Sequence, residues 1–128
     1  MPKRTDFTEW AEEQLSPLGT IRIKSMFGAF GFYADDLFFA IIDDDVLYFK
    51  ADDANRHRFV EAGCEIFRYP MRDGSMNELS YYQAPETALD DQSELLDWAR
   101  LGLDAALRAR VKKAPKKTAR PPGRPSQA

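Results

Sequence analysis

The residues able to do chemistry are few. The 128-residue sequence holds one histidine and one cysteine. His57 lies between Arg56 and Arg58 in a polar stretch, and acid–base catalysis there needs an orienting acid and a nucleophile within reach. Neither is assignable from the sequence, so His57 reads as a solvated surface residue. Cys64 opens an apolar run; a reactive thiol needs a lowered pKa, and a buried structural thiol is the better reading. A lone cysteine makes no internal disulfide, which fits a reducing, cytoplasmic setting. One His and one Cys rule out a conventional zinc site within one chain. Asp43, Asp44 and Asp45 could suggest calcium, but the glycine and glutamate of the twelve-residue EF-hand loop are missing. They read as a charged hairpin turn. The expectation is a protein with no catalytic residues, no cofactor and no metal.

Binding chemistry has three candidates. Gly28-Ala29-Phe30-Gly31 has the GxxG spacing of the KH-domain clamp, yet its central Ala and Phe offer no phosphate ligand. It also lacks the GK[ST] of a phosphate loop, so backbone geometry explains these glycines better. The aromatic residues Phe27, Phe30, Phe32, Tyr33, Phe38, Phe39, Tyr48, Phe49, Phe67, Tyr81 and Tyr82 could stack bases on a sheet face. Such faces need basic neighbours, and this sheet is fringed with aspartates, so core and interface packing is preferred. The third candidate is the C-terminus. Residues 1–107 carry ten Lys and Arg against all 21 acids, a net −11, whereas residues 108–128 carry eight cations and no acid. A polyanion would meet that end first, and neutralising phosphates there would release counterions. Arg110, Lys112, Lys113, Lys116, Lys117, Arg120 and Arg124 are the candidate nucleic-acid contacts. Pro122-Gly123-Arg124-Pro125 also resembles part of an AT-hook, with proline in place of the first arginine. The competing readings are a solubilising tail, or one that folds back on its own acidic body.

The elements that must position these groups are legible from periodicity. Asp6 and Glu9 are spaced as a capping box for a helix with Phe7, Trp10, Ala11 and Leu15 on one face, which Pro17 and Gly19 end. A strand starts at Ile21 and runs on to Tyr33, with a bulge or sharp bend at its two glycines. Leu37–Ile42 and Val46–Lys50 follow across two acidic turns. Asp52 or Asp53 caps a helix over 54–62, which Gly63 closes. Strands over 64–69 and 78–83, a short helical turn after Pro85 and a helix from Gln92 to about Arg110 complete the chain. The continuous apolar run Leu37–Ile42 demands cover on both faces, whereas a two-layer domain covers one with its own helices. That surplus, with the outer stripe of the last helix, nominates Leu37, Phe39, Ile41, Trp98 and Leu101 as a partner interface. The simplest partner is a second copy, giving a homodimer. The spans predict one domain over 1–110 and a basic, Pro-rich disordered tail over 111–128. There is no secretory h-region and no run long enough to span a bilayer.

At Met26-Phe27-Gly28-Ala29-Phe30-Gly31-Phe32-Tyr33 the sequence resembles the N-terminal domain of the TfoX (Sxy) family, regulators of bacterial competence. The likeness continues in order through Leu37–Ile42, Leu47-Tyr48-Phe49-Lys50, Asp52–Arg56, Ser80-Tyr81-Tyr82 and Leu95–Arg100. It covers about residues 6–110. The resemblance implies a two-layer α+β sandwich of order α-β-β-β-α-β-β-α with a mainly antiparallel sheet, similar to type III secretion chaperones. It also implies a cytoplasmic protein of transcription regulation, acting beside a transcription factor such as the cyclic-AMP receptor protein, or an RNA polymerase component. Full-length family members carry a further C-terminal helical domain; a basic tail stands in its place here, so a stand-alone N-terminal-type domain is expected. The functional expectation is a non-enzymatic regulator using protein contacts, with weak DNA contact by the tail. The alternative is a chaperone-like protein-binding module with no nucleic-acid role.

Overall fold

The computed structural model describes residues 5–26 and 28–118. Helix α1 (Asp6–Leu15) is followed by a 3₁₀ turn (Ser16–Leu18), then by strands β1 (Ile21–Met26), β2 (Ala29–Ala34), β3 (Leu37–Asp43) and β4 (Val46–Lys50). Helix α2 (Arg56–Glu61), strands β5 (Ile66–Pro70) and β6 (Met76–Gln83), and helices α3 (Glu86–Leu89) and α4 (Gln92–Thr118) complete it. The six strands form one antiparallel sheet in the order β1-β2-β3-β4-β6-β5. The α+β class and its alternation of helix and sheet segments are as expected.

Local chemistry accounts for the boundaries. Thr5, not Asp6, caps α1: its Oγ1 accepts from the Thr8 amide at 3.1 Å and donates to Asp45 Oδ1 at 2.7 Å. One hydroxyl thereby fixes the helix start and pins it to the β3–β4 turn, while Asp6 and Glu9 face the helix's positive end. The segment expected as one bent strand over 21–33 is a full hairpin. Met26 faces Ala29 across the reversal, where Gly28 takes φ +82°, a left-handed conformation that glycine adopts without steric cost. The next two turns are built on aspartate pairs. Asp35 and Asp36 lie at φ +48° and +69°, and Asp44 and Asp45 at +52° and +60°, the mirror-image turn geometry that matches strand twist.

The apolar run of β3 is satisfied inside the single chain. Register passes from Phe32↔Ala40 to Tyr33↔Phe38, leaving Phe39 as the extra residue of a bulge. Phe39 and Ala40 then both enter the core under the helices, with Phe32, Phe49, Phe59, Leu15 and Leu95. Ile41 points the other way, into a second cluster with Ala29, Phe67 and Tyr81. Helix α4 seats closely on β3 and β4, because a Cβ on Gly102 would lie 2.8 Å from the Phe39 carbonyl oxygen. Buried Asn55 ties the β4–α2 loop to that helix, donating to the Leu101 carbonyl at 2.7 Å while accepting from the Asp52 amide at 2.9 Å. Helical backbone continues to Thr118, eight residues past the expected end near Arg110.

Candidate functional site

Two surfaces carry binding chemistry, the C-terminal half of α4 and the sheet face that the helices leave uncovered. Arg108, Arg110 and Lys112 are exposed on α4, and the backbone at Lys113, Lys116 and Lys117 continues the same helix. Arg120 and Arg124, with the AT-hook-like segment, lie outside the described residues. At 100° per residue, Arg108 and Lys112 fall on one stripe of α4, and Arg110 on another.

A groove of about 740 Å³ runs beside this helix, lined by Asp52, Arg56, Ser80, Leu107, Arg108 and Val111 among others. Its charges are largely paired. Arg108 grips Asp52 with two hydrogen bonds, 2.6 and 2.9 Å. Arg56 bonds Asp53 at 2.7 Å and the Ser80 hydroxyl at 3.2 Å. The Arg108 contact, helped by the Ala54 and Asn55 amides, holds the Asp52 carboxyl below its ordinary range despite some burial. Leu107 and Val111, 45% and 59% exposed, extend the groove as an apolar ridge between the cations.

The uncovered sheet face is lined with rings. Tyr33 stacks on Phe38 with centroids 5.0 Å apart, Phe38 meets Tyr81 at 5.6 Å, and Tyr48 meets Phe67 edge-on at 4.8 Å. Arg22 and Lys24 lie over the Tyr33 ring at 5.0 and 5.9 Å, and Lys50 over Tyr81 at 5.3 Å. Tyr81 is buried beneath this layer, and desolvation pushes its phenol far above the ordinary range. The expectation of a sheet fringed with aspartates did not include these cations. Arg22 and Lys24 alternate visibly with Ile21 and Ile23, but their ring partners come from β2, and a strand boundary hidden at Gly28 conceals that register. The remaining aromatics divide as core packing predicts, with Phe30, Phe32, Phe39, Phe49 and Tyr82 under the helices.

The nominated partner interface is dispersed. Phe39 is fully buried and Ile41 is 4% exposed, so neither offers a side chain to a partner. Leu37, Trp98 and Leu101 are half-buried against the helix-side core. Trp98 packs on Phe59 at 5.1 Å and donates to Glu94. The surplus that nominated them is absorbed by the bulge and by the ring layer.

No chemistry assembles around the other candidates. His57 is exposed on α2, and burial pushes the half-buried Cys64 thiol up, away from thiolate. The two glycines of the GxxG segment serve backbone and packing roles: Gly28 makes the turn, and Met26 and Phe38 fill the space a Gly31 side chain would need. Among the described residues no group of three His, Cys, Asp or Glu is placed to hold a metal, and no helix is long and apolar enough to cross a membrane.

Comparison with known proteins agrees with this architecture. Residues 13–106 match the family described as the TfoX N-terminal domain. The chain is similar to Protein Sxy of Escherichia coli K12, 32% identical over 98 residues that make up 77% of this chain and 46% of that protein. It is also similar to DNA transformation protein TfoX1 of Aliivibrio fischeri, 30% identical over 69 residues, 54% of this chain and 32% of that one. The chain therefore spans less than half the length of these relatives. Its ordered motifs, its sheet and the match across 13–106 place it in the TfoX N-terminal domain family.

Proposed function

We propose that this protein is a non-enzymatic bacterial regulator of the TfoX type, acting in the cytoplasm through protein contacts, with weak DNA contact from the basic end of α4. The observation that carries the reading is the helical placement of that basic end within a chain of this family. Helical backbone runs on to Thr118, and the exposed cations Arg110 and Lys112 stand on that helix beside an acidic body. One relative is named a DNA transformation protein, which supports a role near DNA or its regulators. The protein partner under this reading is a transcription factor or an RNA polymerase component. Exposed His57 and a thiol held away from thiolate support the absence of catalysis.

A titration of duplex DNA with the full chain and with residues 1–110 alone, each at two salt concentrations, tests the DNA contact. Binding by the full chain should weaken steeply with salt, and the shortened chain should lose it. Equal binding by both would end this mechanism. The alternative, a chaperone-like protein-binding module, is favoured by the uncovered aromatic face, and it predicts no DNA binding by either form.

A further inference from the structure

The uncovered sheet face has a charge polarity that selects its occupant. Arg22 faces Tyr33 in register, and Tyr33 faces Phe38; Lys50 faces Tyr81, which touches Phe38. Cations and rings thus share one row near one end of the strands. Arg22 also pairs with Asp36 at 3.2 Å, an exposed contact of small energetic weight. At the opposite end lie the β3–β4 turn, where Asp43 faces Val46, and Glu65, whose carbonyl accepts from the Gln83 amide beside Tyr48. Burial, then Asp43, Glu65 and Asp44, all raise the Tyr48 phenol, so these carboxylates act on the same patch. Between the two ends the surface is apolar and phenolic. Tyr33, Tyr48 and Tyr69 are half-buried, and Leu79, opposite Phe67, is 37% exposed.

We infer that this face docks a second copy of the same chain, with the two sheets packed face to face and the helices outside. A two-fold interface must match itself. An axis running across the strands, through the middle of β4 at Tyr48, reverses strand direction. It sets Lys50 of one copy over the Asp43–Val46 end of the other, and the reverse. Rings rich in hydroxyls, with Arg at the margin, are the composition that interfaces favour, and sheets packed face to face interdigitate such side chains about 10 Å apart. A polyanion fits less well. The Asp43 end repels it, residues 1–107 carry a net −11, and the rings already contact one another. The inference is independent of the DNA contact, which belongs to α4.

Sedimentation of the full chain over a concentration series tests it. The expected mass is twice the 14.6 kDa chain. Lys50→Glu and Asp43→Lys should each weaken the dimer by roughly tenfold, and the double variant should recover most of that loss, because the exchanged charges attract again. Tyr48→Ala should shift the equilibrium further toward monomer. Thermal melting by circular dichroism shows whether each variant remains folded, and the charge rescue stands apart from any general loss of stability. A chain that stays monomeric at hundreds of micromolar overturns the inference. So do single variants that leave the dimer unchanged, a double variant that recovers nothing, and a monomer whose aromatic face is occupied by a different protein.

Discussion

Gly102 is the residue through which helix α4 reaches the sheet. An Ala in an exposed helix interior is ordinarily favoured over Gly by about 1 kcal/mol. Here the added Cβ would meet the Phe39 carbonyl oxygen at 2.8 Å and the Lys50 amide nitrogen at 3.3 Å, both backbone atoms that give little. Gly102→Ala should therefore lower stability by about 1–2 kcal/mol, read by urea denaturation; an unchanged or raised midpoint would mean that the helix can lift without loss. Asp52 is a second residue with a legible effect. Its hydrogen bond and charge contact with Arg108 depress its folded pKa, so its contribution is complete above the unfolded carboxylate value of about 3.9. That contribution is lost as pH falls through the lower folded value. The pair is partly exposed, at 44% and 28%, which limits it to about 1 kcal/mol or less. Asp52→Asn should lower stability near neutral pH by that amount and flatten the acid limb of the stability curve, which denaturation at a series of pH values would measure.

At the scale of elements, the hairpin turns are the sequence's own instructions for the meander. Asp44 sits at φ +52° and is exposed, where Asn is accommodated well and a β-branched residue is strained. Asp44→Val should cost about 1–2 kcal/mol. Asp44→Asn should be neutral or slightly stabilising, because it also removes one of three adjacent carboxylates. Thermal melts of the two variants distinguish turn geometry from turn charge: destabilisation by both would point to a role for the charge itself. Asp45 is the poorer choice for this test, since it accepts the Thr5 hydroxyl and anchors helix α1 as well.

The whole molecule is a bipolar object, with an acidic α+β body and a basic helical end. If the basic end meets DNA, each cation that neutralises a phosphate adds about −0.9 to the slope of log K against log salt. Replacing Lys116 and Lys117 together with Ala should reduce that slope in magnitude by up to about 2 while leaving the melting temperature of the body unchanged. Fluorescence anisotropy across a salt series reads the slope directly. A slope that does not move would place the contact elsewhere on the chain.

The sequence by itself determined the class of fold, the order of its main segments, the acidic turns, the closing Gly63 and the family, because periodicity, caps and turn residues are local properties. It also separated an acidic body from a cationic C-terminal segment. The hairpin turned at Gly28 escaped it, since a glycine inside an apolar strand pattern is compatible with a bend or a complete reversal. The helix to Thr118 escaped it too, because Pro115 reads as a breaker. Only the tertiary structure decided which apolar residues were surplus. The Phe39 bulge and the rings of β2, β4, β5 and β6 bury what the sequence left uncovered. The same register brings Arg22, Lys24 and Lys50 over tyrosines of the neighbouring strands. Cross-strand neighbours depend on register, and a one-residue slip exchanges the two faces of a strand. The aromatic face is thus a property of the assembled sheet, not of any stretch of sequence.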